Sequence, residues 1–182
     1  MTGTSILVVC TGNIARSAMA AEMLRARLDG RASRTEVRSA GFVPWPGPPP
    51  PTVVAAMREY DLDVSAHASQ PLRTGLVSEA DLVLGMTREH VWGVLAREPG
   101  ADTRTFLVEE LARLGTEVGA RRPDEPLRAW ASRVAARRPP GRIVGRPEDE
   151  VPDPLGESVD VVRATAARLD AATATIASLV AP

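Results

Sequence analysis

Two rhythms of hydrophobic and polar positions alternate along this chain. Ser5–Val9 is a short, unbroken, β-branched apolar run, the pattern of a strand buried on both faces. Ser17–Leu28 follows with Ala, Met, Leu, Glu and Arg at helical period. Thr35–Ala40 alternates as a strand. Val43–Pro51, "VPWPGPPPP", excludes regular structure because proline removes backbone donors and fixes φ. Helical character resumes over Pro51–Tyr60. Ala80–Leu84 reads as a third strand and Thr87–Arg97 as a helix opened by a threonine cap. Thr103–Leu107 reads as a fourth strand, and Val108–Leu114 as a short helix. Gly115–Arg146 is rich in Arg and Pro, with a helix expected over Pro126–Arg137. It has too few apolar residues for a core of its own, so it reads as an insertion, at about 115–146, in one domain spanning 1–182. Glu148–Pro154 is an acidic loop broken by proline. Ser158–Val180 closes the chain as a long helix with apolar positions at Val159, Val162, Ala166, Leu169, Ile176 and Leu179. No internal repeat is visible.

Alternation of strands and helices predicts an α/β fold with a parallel sheet and helices on both faces. Such sheets bind ligands beyond the carboxyl ends of their strands, where the strand order reverses. Cys10 falls at that end of the first strand.

Composition narrows the compartment and the partners. The 182 residues are 44% hydrophobic and 25% charged, as expected of a globular domain. The net charge is −1, from 22 basic and 23 acidic residues, so no bulk field favours nucleic acid or a membrane surface. No basic and aromatic interleaving suggests nucleic acid. No apolar run approaches the ~20 residues that span a bilayer, and no signal-like segment precedes Ser5. Cys10 is the sole cysteine, which excludes an internal disulfide and makes the cytoplasm the expected compartment. All basic residues are arginine, so an anion site must use guanidinium or backbone amides.

The segment after the first strand runs Cys10, Thr11, Gly12, Asn13, Ile14, Ala15, Arg16, Ser17. A Cys with an Arg six positions on is weak by spacing alone, since about one residue in eight is Arg (22 of 182). The context supplies the specificity: strand, thiol, Gly-Asn turn, Arg-Ser, helix. Gly12 and Asn13 tolerate positive φ at least cost, so the loop can curl with its N–H groups turned inward. Such a nest at a helix N-terminus binds an oxyanion. The amide dipoles and the Arg16 charge would also stabilise a Cys10 thiolate, and the Ser17 hydroxyl is placed to donate to it. Arg16 can grip two phosphate oxygens at once. A nucleophilic sulfur beneath a bound phosphate is poised for in-line attack. The plainer reading, a small buried hydrophobe at a strand end, does not account for these neighbours.

The residues "VVCTGNIARS" resemble the signature loop of the low-molecular-weight protein tyrosine phosphatases. The likeness continues at "RSAGF" (Arg38–Phe42) with Trp45, at "DLVLGM" (Asp81–Met86) and at "VPDP" (Val151–Pro154), in the family's order. It covers nearly the whole chain, interrupted by Gly115–Arg146. It implies a four-stranded parallel sheet in the order 2-1-3-4. It implies Cys10, Arg16 and Asp153 as the catalytic residues, with Thr11 to Ser17 binding phosphate and no metal or other cofactor. The substrate it implies is a phosphotyrosine protein or a small aryl phosphate. Asp153 would serve as general acid, protonating the leaving oxygen. Read alone, Asp153 is one of several acids in a turn with Glu148, Asp149 and Glu150, and Asp149 is its substitute. Trp45 would form one wall for an aromatic ring. The residue after Asp-Pro is often aromatic in the family; here Leu155 replaces that second wall. Thr87 stands where an acid is usual after the third strand's Met, and His90 where an Asn is usual. His67 resembles a structural histidine before Ala-Ser-Gln. Two other functions remain on this fold: arsenate reduction with a low-molecular-weight thiol, and phosphate binding without catalysis.

Overall fold

The computed structural model describes residues 4–29 and 35–181. Four parallel strands, β1 (Thr4–Cys10), β2 (Thr35–Gly41), β3 (Leu82–Gly85) and β4 (Thr105–Leu107), form one sheet in the order β2-β1-β3-β4. Strand β1 pairs with both β2 and β3, with Cys10 opposite Gly41 and Val9 opposite Gly85. Its residues Ile6 to Cys10 are all buried, which explains why it reads as a continuous apolar run. The strand period of two divides it between two cores. Ile6, Val8 and Cys10 face the larger core, and Leu7 and Val9 the smaller one.

Helices α1 (Arg16–Leu28), α2 (Pro51–Arg58), α5 (Val108–Val118) and α7 (Val159–Val180) build the larger core. α3 (Thr74–Glu79) and α4 (Arg88–Arg97) pack on the other face through Val77, Val91 and Val94. The expected elements are present with ends shifted by a few residues. α3 was not foreseen, because its six residues bury only Val77 and carry no period. The start expected for the fourth strand, Thr103, lies instead in a 3₁₀ segment, Pro99–Arg104. Val159 does not join the core: it sits in the first turn of α7 and is exposed, whereas Val162, Ala166, Leu169, Ile176 and Leu179 are buried. Ser158 caps α7 by accepting from the Val161 N–H.

The Arg/Pro-rich stretch contributes α6 (Leu127–Ala135), whose Leu127, Trp130, Ala131 and Val134 enter the larger core. Its arginines make specific bonds. Arg138 is buried over the Phe106 ring and donates to Glu110 Oε1 at 2.8 Å and to the Thr105 carbonyl at 2.7 Å. Among the described residues, no helix is long and apolar enough to cross a membrane.

Candidate active site

β1 ends at Cys10 and α1 begins at Arg16, so the connecting loop lies at the carboxyl edge of the sheet, between β2 and β3. Four successive loop carbonyls are held from outside. Cys10 O accepts from Phe42 N at 3.2 Å, Thr11 O from Val43 N at 2.9 Å, and Gly12 O from Trp45 N at 3.1 Å. Gly12 O also accepts from Ser69 Oγ at 2.8 Å, and Asn13 O from His67 Nε2 at 2.7 Å. A trans peptide sets each carbonyl opposite the next N–H, so turning these four outward turns the N–H groups of Thr11, Gly12, Asn13 and Ile14 inward. The Asn13 N–H shows the result, lying 3.3 Å from Cys10 Sγ. Ile14 and Ala15 are buried and lead into α1.

The backbone geometry differs from expectation at one point. Asn13 adopts φ 54, but Gly12 is not in the left-handed region. The glycine that the curl requires is Gly41 on β2. A Cβ there would lie 2.7 Å from Thr11 O and 3.1 Å from Asn13 N. Gly12, by contrast, has room for a Cβ.

Hydrogen-bond directions around the thiol follow from fixed donors. The Gln70 N–H donates to Asn13 Oδ1 at 3.0 Å, which turns Asn13 Nδ2 toward Ser17 Oγ at 2.9 Å. Ser17 Oγ therefore accepts from Asn13, and its own hydrogen is directed to Cys10 Sγ at 3.0 Å. Ser17→Ala should accordingly slow alkylation of the buried thiol by iodoacetate at neutral pH. A hydrogen bond to a charged group is worth ~1.5–3 kcal/mol, so the loss should be roughly tenfold or more. An alkylation rate equal to wild type would show that the hydroxyl does not stabilise the thiolate.

Arg16 is 3% exposed. Its Nη1 donates to Val151 O at 3.2 Å and its Nη2 to Asp153 Oδ2 at 2.6 Å. Its Nε–H is buried with no partner among the described residues, and a buried donor left unpaired calls for an acceptor. Asp153 also accepts from the Leu155 N–H at 3.2 Å, a local turn bond. The acid loop is tied down on either side of Val151, whose N–H donates to Met86 O at 2.8 Å. Glu150 Oε1 accepts from Arg88 N at 2.9 Å and Nε at 3.0 Å. Asp149 is engaged elsewhere: it is buried, and Arg113 and Arg146 both donate to its carboxylate. Burial alone would raise its pKa, but those bonds outweigh burial and hold it below the usual range.

Trp45 follows the Gly12 anchor and is 54% exposed, and Leu155 beside Asp153 is 44% exposed. His90 occupies a place that the sequence reading assigned to no role. Its Nδ1 accepts from the Thr87 N–H at 3.1 Å, so Nε2 carries the hydrogen and donates to Thr11 Oγ1 at 3.0 Å. Burial, and then the Arg16 charge, push His90 down to about 4, so the ring is neutral at pH 7. His67 is also pushed down by burial, with its bond to the Asn13 carbonyl working against it. Ser69, Gln70, Gly41 and His90 thus shape the loop across long sequence separations. Among the described residues, no group of three or more His, Cys, Asp or Glu is arranged to hold a metal.

A loop that presents inward amides, a thiol and a buried guanidinium to one point is built for a phosphate-sized anion. The sequence model of the low molecular weight phosphotyrosine protein phosphatases matches residues 5–113, and the chain belongs to that family. Among its relatives, the probable low molecular weight protein-tyrosine-phosphatase EpsP of Ralstonia nicotianae is 39% identical over 108 residues, 59% of this chain and 72% of that protein. The protein-arginine-phosphatase of Bacillus subtilis is 40% identical over 86 residues, 47% of this chain and 57% of its own. The crystal structure of a YwlE mutant from Bacillus subtilis superposes with a TM-score of 0.70 at 26% identity, covering 96% of this chain and 97% of that one. The protein is therefore a cysteine-dependent phosphatase with the family's parallel sheet.

Proposed function

We propose that this phosphatase hydrolyses aryl phosphate monoesters, phosphotyrosine in proteins foremost, through a phosphocysteine on Cys10. The observation that carries the reading is the aligned thiol: Sγ receives the Asn13 N–H and the Ser17 hydroxyl at the base of a loop whose carbonyls face away. In the first step Sγ attacks phosphorus. The S–P bond forms, the P–O bond to the aryl group breaks, and that oxygen takes the electron pair together with a proton from Asp153. In the second step water attacks phosphorus and gives its proton to the Asp153 carboxylate. The S–P bond breaks and its pair returns to sulfur. The loop amides of Thr11 to Ser17 and the Arg16 guanidinium take the phosphoryl oxygens, with the unpaired Nε–H supplying one donor. Phosphate and Asp153 share an interest in Arg16 Nη2. A dianion that takes Nη2 turns the carboxyl from a partner of the cation into a neighbour of an anion, where holding a proton is favoured. Metal is not needed, because amides and guanidinium already neutralise the phosphate.

Trp45 supports the aryl reading, being a half-exposed ring anchored beside Gly12, with Leu155 on the acid side. A sole buried thiol supports a cytoplasmic site of action, and the named relatives support a bacterial source. The near-balanced charge supports no nucleic-acid or membrane partner. The test compares kcat/KM on peptides carrying phosphotyrosine, phosphoserine and phosphoarginine, beside thiol-dependent reduction of arsenate. Phosphotyrosine should lead by at least about tenfold. A lead for phosphoarginine would assign the chain to the activity named for its Bacillus relative, and a lead for arsenate would make it a reductase.

A further inference from the structure

The phosphate loop and the acid loop come from opposite ends of the chain, yet both are fastened to one short segment, Met86–His90, where β3 passes into α4. Toward the acid loop, Met86 O accepts from Val151 N, and Arg88 N and Nε donate to Glu150 Oε1. Toward the phosphate loop, His90 Nε2 donates to Thr11 Oγ1. The segment is itself braced. Thr87 N donates to His90 Nδ1, the His90 ring stacks on Phe42 at 5.7 Å, and the Arg97 guanidinium covers the far ring at 4.7 Å. Among the described residues, the direct hydrogen bonds between the acid loop and the phosphate loop or the start of α1 run through Arg16, which the reaction needs for phosphate.

We propose that the β3–α4 junction is a positioning bridge that keeps the Asp153 loop in register with the phosphate loop, with His90 carrying one arm and Glu150 the other. The inference rests on Asp153 as the proton donor. Neither residue touches the reacting atoms; each acts through the loop it holds. A proton donor displaced by about an ångström costs up to ~10²-fold in rate, and only where the leaving oxygen needs the proton. The two arms stand in series, with the Val151 N–H bond to Met86 O as a second tie on the acid-loop side, so cutting either arm loosens the bridge.

The experiment uses His90→Phe, which keeps a ring against Phe42 but loses the hydrogen bonds to Thr11 and Thr87, and Glu150→Ala, whose side chain is partly exposed. Each is assayed singly and together. Each single variant should lower kcat on phenyl phosphate by about tenfold and on 4-nitrophenyl phosphate by less than about threefold. Inhibition by inorganic phosphate should not change in Glu150→Ala, which leaves every bond to the amide nest in place. The double variant should lose less than the product of the two single losses. Equal losses on both esters, or losses that multiply in the double variant, would overturn the bridge. Amide hydrogen exchange tests it independently of which group is the acid. Exchange should quicken over 10–14 in His90→Phe and over 150–155 in Glu150→Ala, with the sheet unaffected. Unchanged exchange in both loops would also overturn it. Failure of Asp153 as the acid shows separately, as an unaltered leaving-group dependence in Asp153→Asn.

Discussion

Cys10→Ser should abolish turnover, by roughly 10⁴-fold or more, while inorganic phosphate still binds. The two halves of this expectation have different physical origins. Binding is expected from the inward amides and the Arg16 guanidinium, which the substitution leaves in place. Chemistry needs an ionised nucleophile at the position that Asn13 N–H and Ser17 Oγ address. A serine hydroxyl stays protonated there, whereas a thiol ionises readily. Wild-type protein should also be inactivated by iodoacetate at neutral pH, with phosphate protecting it. Calorimetric titration with phosphate and a steady-state assay separate binding from turnover. Ordinary turnover by the serine variant would remove sulfur from the mechanism.

Asp153→Asn should slow phenyl phosphate and phosphotyrosine hydrolysis by ~10²–10⁴-fold. Asparagine preserves the shape, its one amide oxygen can still accept from Arg16, and the neighbouring Val151 N–H still donates to Met86 O, so the loop should stay in place. What it cannot do is deliver a proton. The loss should therefore shrink for 4-nitrophenyl phosphate, whose leaving oxygen is a weak base. A residue that only holds Arg16 would slow every ester by one factor. The measurement is the dependence of kcat on leaving-group basicity in the two proteins. Parallel dependences would exclude Asp153 as the acid. Asp149 is a poor replacement, since Arg113 and Arg146 already occupy its buried carboxylate.

The sequence by itself determined the strands, most helices and the loop between β1 and α1, because each depends on contiguous residues. Strand β1 is legible as an apolar run, and Cys10 through Ser17 lies within eight consecutive positions whose order alone implies a nest at a helix start. Even there, the local reading placed the strain at Gly12 as well as Asn13, while the structure places the essential glycine at position 41. That requirement arises from β2 passing close to the loop, which only the strand pairing creates. That Asp153 would come beside Arg16 was implied only by resemblance to a family, because 137 residues separate the two. The side chains that hold the loop were not legible as such. Ser69, Gln70 and His67 reach it from 54 to 57 residues away, and His90 from 79. Nor could periodicity foresee that Trp130, in an Arg/Pro-rich stretch, would be buried, or that Val159 would be exposed. Local patterns report which face of an element is apolar. Which element arrives to cover that face, or to accept a loop's hydrogen bond, is decided by the order of strands in the sheet, and so by the tertiary fold alone.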